Sequence, residues 1–437
     1  MKGKVNTMTE LGNLGDIAVS AKVEVLVCGS GPAGIGAAYA AGKSGANTMI
    51  IEAQGDLGGI STTGLMSHWT GRSGSPVYAE ILRRSADANE GEFHGKIVPV
   101  IDPEKLKTIY LKMMVENNVK ILLYTFISDT IVDNGRVCGV IIENKTGRSA
   151  ILADVVIDAT GDGDVAYKAG AEYILGREED NKMQPCTIMF KVAGVDTDKA
   201  VFPGSFETLV PTEKGELQAL GKSIIGHPAG HVLLYKTTLP GVVTCNMTNC
   251  IGIDGTKAED LTKATLVCRE QMERIVKFLR EYAPGYENCF IISSASLIGV
   301  RETRHFKGKY TLNEEDILTA RVFDDWVVKD AYFNFDIHNI DGAGLDKNGV
   351  QHKFSQTKGY TVPFRCLVPE KTEGLLLAGR CISGTHKAHS NYRVMPICVG
   401  MGEAAGYAAS IAAKKDILPS QVDVKEIQNL ITDSEVK

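Results

Sequence analysis

Val23–Glu52 reads VEVLVCGSGPAGIGAAYAAGKSGANTMIIE, and its grammar decides the fold. Val23 to Cys28 is an apolar run with the length and β-branched content of a buried parallel strand. Gly29-Ser30-Gly31-Pro32-Ala33-Gly34 follows at once with the G-x-G-x-x-G spacing. Ala37, Ala38, Ala40 and Ala41 then make a slim helix, and Thr48 to Ile51 read as a second strand that ends in Glu52. Gly29 allows the tight turn, Gly31 lets a pyrophosphate approach the backbone, and Gly34 lets helix and strand pack closely. The helix N-terminus offers that pyrophosphate free N–H groups and a partial positive charge. Glu52 stands where a carboxylate accepts from an adenosine ribose hydroxyl and repels a 2′-phosphate. A glycine-rich turn without a ligand is the plain alternative, and strand, glycines, helix, strand and acid together weigh against it. The stretch implies an adenine dinucleotide. It does not choose between NAD and FAD.

Working outward, bulk composition sets limits. A chain of 437 residues exceeds one ordinary core, which predicts two domains. A hydrophobic content of 44%, a charged content of 23% and 46 glycines describe a globular α/β protein. A net charge of −6 argues against nucleic acid or an anionic membrane as a partner. Ten scattered cysteines without a C-x-x-C pair suit reduced, buried thiols and a cytoplasmic location. Residues 1–20 show no export signal and read as a flexible leader. No apolar run approaches the length of a membrane span.

Beyond Glu52, residues 53–64 form a glycine-rich loop, in which Gly58-Gly59 implies backbone pressed against something bulky. Helices are expected over 76–88 and 103–118, the second capped by Asp102 with Leu106, Ile109, Tyr110, Met113 and Met114 as its stripe. Short strands at 119–124, 127–132 and 137–142 predict a β-meander, with Asp133-Asn134-Gly135 as a hairpin turn. Residues 154–160 make one more buried strand, and 165–169 a helix. The middle is mixed, with strands at 186–192, 232–237, 242–246 and 290–294. A long helix over 257–282 carries Leu261, Thr265, Cys268, Met272, Ile275 and Leu279 on one side. Parallel-sheet grammar returns from Tyr360, with a strand at 374–379 and a small-residue helix at 397–413.

Three separated segments together resemble the two-dinucleotide-binding-domain flavoproteins. They are Val23–Glu52 with Gly58-Gly59, Val155–Gly163 (VVIDATGDG) and Leu375–Ala409 (LLLAGRCISGTHKAHSNYRVMPICVGMGEAAGYAA). Within that superfamily the likeness is to FAD-dependent oxidoreductases of the fumarate-reductase-like branch. The resemblance implies FAD, held in a Rossmann-like FAD-binding domain of parallel sheet plus β-meander, with an inserted mixed α/β substrate domain. The expected boundaries are 21–175 with 358–437 for the FAD-binding domain and 176–357 for the insert. The implied cofactor contacts begin with Gly29, Gly31, Pro32, Ala33, Gly34, Glu52 and Ala53. They continue through Gly58, Gly59, Ser61 and Thr62 in the glycine loop, Ala159, Thr160, Gly161 and Asp164 in the second segment, and Gly379, Arg380, Met401 and Ala404 in the third. Many relatives carry an acidic residue where Arg380 stands, so the ribityl contact must come from elsewhere. A helix starting near Pro396 would turn its positive end to the charge of a reduced flavin, and also serves as a close-packed structural helix. The Gly59-Ile60-Ser61-Thr62-Thr63 segment lacks the histidine that links flavin in some relatives, so non-covalent FAD is expected.

Reaction-centre candidates cluster in Ser383–Arg393, read as a loop ahead of that helix. His386 and His389 could serve as acid or base, with buried structural histidines as the plain alternative. Arg393 could clamp a carboxylate or stabilise an oxyanion. In Gly299–His305, Arg301 and Arg304 could recognise an anionic or polyhydroxylated substrate, or pair with Glu302. His68-Trp69 is a further candidate. There is no disulfide-reductase cysteine pair near the first glycine loop, no second G-x-G-x-x-G and no metal-ligand spacing, so no metal is expected. The function read from the chain is a flavin oxidoreductase moving hydride between FAD and a small polar substrate. A further electron donor or acceptor is required, and a homo-oligomer is left open. The alternatives are a flavin-dependent biosynthetic or modifying enzyme without net redox turnover, and a non-catalytic FAD-binding scaffold.

Overall fold

A parallel sheet forms the centre of the computed structural model, which describes residues 4–9, 12–85, 89–93 and 96–435. Its strands run in the order Lys120–Leu122, Thr48–Ile51, Gly12–Cys28, Gly147–Asp158 and Leu375–Leu377. In the central strand Val25, Leu26, Val27 and Cys28 are wholly buried, as a strand covered on both faces must be. Pro32–Lys43 follows it as a helix and packs lengthwise on Met395–Lys415. Glycine sets that spacing: a Cβ at Gly402 would stand 1.8 Å from the Ala33 carbonyl oxygen, and one at Gly406 2.2 Å from that of Ala37. Every residue of the later helix from Met395 to Ala412 is buried. Among the described residues no single helix is long and apolar enough to cross a membrane.

The meander differs from expectation in its connections. Its strands are Phe126–Asp133, Arg136–Asn144 and Gly147–Asp158, and the last also pairs parallel with Gly12–Cys28. The strand expected at 154–160 is therefore the far end of a meander strand. Lys120–Leu122 leaves the meander and joins the edge of the parallel sheet, because the helix Pro103–Glu116 before it returns the chain in the parallel sense. Asp102 caps that helix, accepting from the Glu104 N–H at 3.0 Å. Asn134 and Gly135 take φ of 49° and 79°, as a two-residue hairpin turn requires.

Two other expectations shift. Within the stretch read as a flexible leader, Lys4–Thr9 is a strand antiparallel to Gly12–Cys28, and Ile17 packs with Ile131, Ile141 and Ala150. The helix expected over 76–88 ends at Arg84, and residues 86–88 lie outside the described residues.

A second buried cluster forms around an antiparallel sheet ordered Leu234–Lys236, Val243–Cys245, Phe190–Ala193 and Phe290–Ser294. The helix Ala258–Tyr282 carries acids in its first turn and Arg280 in its last, matching its dipole. Its Cys268, Met272, Ile275 and Leu279 are buried, with about 2 kcal/mol of burial for each large aliphatic side chain.

Candidate active site

The glycine cradle is built by backbone. Gly29 sits at φ 91°, and a Cβ there would come 2.5 Å from the Ala159 carbonyl oxygen. A Cβ at Gly34 would come 2.0 Å from the Gly29 oxygen, so this position must be small for strand and helix to close. Gly31 is the opposite case, since a Cβ there would meet nothing within 4 Å. Gly59 and Gly379 border the same space: their added Cβ atoms would lie 3.1 Å from Gly31 Cα and 3.0 Å from Ala33 Cβ. The two helices that begin beside it, at Pro32 and Met395, have no side-chain cap on their first N–H groups. Open space at Gly31 beside an uncapped helix start fits a dinucleotide pyrophosphate.

The remaining cofactor candidates have local duties. Glu52 accepts from the Ser30 N–H at 3.0 Å, the Ser30 hydroxyl at 2.6 Å and the Gln54 N–H at 2.8 Å, and Ala53 follows it half-buried. The Ser61 and Thr62 hydroxyls donate to the Gly58 and Leu57 carbonyls, both at 2.7 Å, and so hold the glycine loop in shape. In the second segment the Thr160 hydroxyl donates to Asp158 at 2.7 Å and accepts from the Asp164 N–H at 2.9 Å. A Cβ on Gly161 would meet the Arg380 guanidinium at 2.5 Å. Arg380 donates to Asp162 at 3.0 Å, which accounts for a basic residue at a place where an acid is common. Met401 and Ala404 are wholly buried in the body of their helix.

The segment Ser383–Arg393 is mostly helical. His386–Tyr392 is a short helix, capped by Thr385 and bent by 93° from Met395–Lys415. Six of its seven residues are buried, which a loop of this composition could not manage without leaving backbone groups unpaired. On it, His386 Nδ1 lies 2.6 Å from Glu302 Oε1, and His305 Nε2 reaches the same oxygen at 2.9 Å. His389 stands edge-on to His305, with ring centroids 4.7 Å apart. Burial and the nearby His305 push His389 well down, so it is neutral. Burial alone would lower His386 too, but the hydrogen bond and charge of Glu302 outweigh it and raise the imidazole.

The arginines separate. Arg304 turns away, donating to the Asp162 carbonyl and to Asp164 at 2.9 and 3.0 Å beneath the Tyr167 ring. Arg301 instead donates to the Pro185 carbonyl at 2.5 Å and the Thr187 hydroxyl at 2.8 Å. Neither pairs with Glu302, because that carboxylate is filled by the two histidines and the Gln184 N–H at 3.2 Å. Arg393 donates to Asp336 Oδ2 at 2.8 Å, and its buried Nε has no partner. Burial and repulsion by Arg393 lower Arg301 to about 10, which leaves it charged at neutral pH. His338, 3.2 Å from Asp336, is lowered to about 4 by burial and then by Arg301. His231 is lowered to about 3, mainly by burial. Two guanidinium charges therefore face one carboxylate, beside neutral histidines. His68 is buried against Tyr235 and lowered to about 4 by burial, so it is neutral.

Sequence reading passed over Glu302, Asp336, His338 and Asp162 as site residues. Glu302 was visible only as an ion-pair alternative for its neighbouring arginines. Asp336 and His338 gave no signal beyond an acid and a histidine two apart. The chain also brings ligand atoms of Glu302, His305 and His389 within 4.8 Å of one another, a grouping that no local metal spacing announces.

Comparison with known proteins gives partial sequence matches and broader matches in fold and family. Digeranylgeranylglycerophospholipid reductase 2 of Methanopyrus kandleri is 28% identical over 215 residues, 44% of this chain and 52% of that protein. Thiamine thiazole synthase of Aeropyrum pernix is 29% identical over 175 residues, 37% of this chain and 62% of that protein. The chain thus spans only 52% and 61% of the first two curated relatives it matches. A geranylgeranyl bacteriochlorophyll reductase-like protein from Thermoplasma acidophilum shares the fold, with a TM-score of 0.52 at 14% identity over 94% of this chain and 84% of that one. A family model described as FAD dependent oxidoreductase matches residues 24–431, nearly the whole chain, and the protein belongs to that family.

Proposed function

We propose that this protein is an FAD-dependent oxidoreductase that moves hydride between a small anionic substrate and non-covalently held FAD. The observation that carries the reading is the surplus charge of this buried cluster, where Arg393 pairs with Asp336 and the Arg301 charge acts on both. A substrate carboxylate would balance it, and charge-assisted contacts to arginine are strong and directional. The likeness of Val23–Glu52, Val155–Gly163 and Leu375–Ala409 supports the further reading of a place in the fumarate-reductase-like branch.

FAD, when bound, supplies the hydride donor or acceptor. Gly29, Gly31, Pro32, Ala33, Gly34, Glu52, Gly58, Gly59 and Gly379 would hold it, within a unit formed by residues 21–175 and 358–437. Residues 176–357 supply the substrate side. Arg301 and Arg393 bind and orient the anion, and His386 holds or releases the accompanying proton. The ten free cysteines, nine of them buried, support a reducing compartment such as the cytoplasm.

The test is an anaerobic titration of the FAD-loaded protein with hydroxy acids, dicarboxylates, sugars and cyclitols, read by the flavin's visible absorption. Bleaching by an acid, lost in Arg301→Ala, is the expected result. Bleaching by neutral polyols alone would sink the anionic reading. An oxidised spectrum untouched by every compound would favour an enzyme without net redox turnover or a scaffold.

A further inference from the structure

We propose that Glu302 is a positioning residue for His386: it holds the imidazole proton on Nδ1 and so leaves Nε2 as the atom that exchanges a proton with substrate. The proposal rests on the proposed function only for what Nε2 does; the orientation itself is independent of it.

The argument begins with hydrogen-bond inventory. An ionised carboxylate only accepts, so a ring nitrogen in contact with it must carry a proton. His386 Nδ1 is 2.6 Å from Glu302 Oε1, and His305 Nε2 is 2.9 Å from the same oxygen. Both nitrogens are therefore N–H donors. The Gln184 N–H supplies a third, to Oε2 at 3.2 Å. Burial would raise the Glu302 carboxyl, but these donors and the nearby histidine charge hold it well below its usual range. A carboxylate so filled is a fixed negative charge, and the 2.6 Å contact is short enough to mark a charge-assisted bond.

Several other groups bear on His386. Glu178 Oε1 accepts its backbone N–H at 2.9 Å and favours the cation, while Arg177 opposes it. Lys387, next in the chain, is paired with Glu314 at 2.9 Å. His305 stands across Glu302, and His389, one turn on, is neutral with an unpartnered Nδ1. Among the described residues, only Glu302 touches the ring in a way that selects a tautomer.

A metal bound by Glu302, His305 and His389 is the competing use of these residues. It would have to displace the His305 proton from an oxygen that already serves two imidazoles. Hydrogen bonds therefore describe the group better than coordination does.

The test uses histidine-labelled, FAD-loaded full-length protein and long-range proton–nitrogen NMR, with His386→Asn to assign the ring and elemental analysis of the same sample. The expected result is His386 neutral with its proton on Nδ1 at high pH, protonating with a midpoint above the ordinary value. In Glu302→Gln the midpoint should fall by about one pH unit or more, the effect of one close opposite charge. A neutral His386 protonated on Nε2 in the wild-type protein would overturn the proposal, even if the variant failed to fold. An unchanged midpoint in folded Glu302→Gln would also overturn it, as would stoichiometric transition metal that disappears in His389→Ala. No substrate is needed, so failure of the anion titration leaves this result standing.

Discussion

The glycine cradle and the buried polar cluster are made by opposite means. In the cradle, backbone and absent side chains do the work: Gly29, Gly34 and Gly402 are places where a Cβ would meet a carbonyl oxygen, and Gly31 is where a Cβ would meet nothing. In the cluster, long side chains do it, and their partners come from far along the chain. Glu302 to His386 spans 84 residues and Arg393 to Asp336 spans 57. The difference teaches that the cradle depends on exclusion of volume and the cluster on balance of charge. Each should fail in its own way.

Gly402→Val should cost the most. Its Cβ would meet the Ala33 backbone, which has no rotamer through which to yield, so we expect a loss of about 3 kcal/mol or more in urea unfolding. Loss of flavin should accompany it. If Gly402→Val unfolds like the wild type, the helix seam is looser than these distances require.

Arg301→Ala should cost about 1 kcal/mol in unfolding for its lost hydrogen bonds to Pro185 and Thr187, and weaken anion binding by about 2 kcal/mol, roughly thirtyfold, in a spectral titration. Equal weakening toward a neutral polyol would show that the cluster does not work by charge. Gly31→Val sharpens the contrast from the other side. Its added atoms enter open space, so apoprotein stability should hold while FAD affinity falls about tenfold or more by equilibrium dialysis.

Arg304→Ala should behave as a cradle variant despite its closeness in sequence to Arg301. Its contacts are to Asp162, Asp164 and Tyr167, so we expect about 1 kcal/mol less stability or flavin retention and unchanged anion affinity.

The smallest effect is a pH dependence. His68 and His338, lowered to about 4, and His231, lowered to about 3, are neutral in the folded state. Their contribution is present above the ordinary histidine value of 6.5 and is lost as pH falls toward 4 and 3. His386 has the opposite sign: its raised value adds stability below the ordinary value, lost as pH rises through the folded one. Thermal melts should therefore fall as pH drops below 6.5, alike in wild type and His386→Gln, whereas above 6.5 the wild type should lose stability with rising pH and His386→Gln should not. An identical slope above 6.5 in that variant would remove His386 from the balance.

Much of the cradle was legible because its causes are local. Strand, turn, helix and glycine spacing along Val23–Glu52 express short-range sterics, and Thr48–Ile51 appears where the apolar run places it. The meander's connections were not legible, since Gly147–Asp158 serves two pairings and only the assembled sheet shows it. The polar stretch before Arg393 reads as a loop by itself. Its imidazole, a backbone N–H and an amide find partners only once Glu302, Glu178 and Tyr360 arrive from elsewhere.

Sequence by itself determined an adenine dinucleotide cradle, an α/β chain and a short list of histidines and arginines. Tertiary structure decided which of them meet: Arg304 went to the cradle, Arg393 to Asp336 within reach of the Arg301 charge, and His386 to Glu302. The physical reason is range. Backbone sterics act between neighbours in sequence, whereas a buried charge is satisfied by whatever the fold brings within about 3 Å of it.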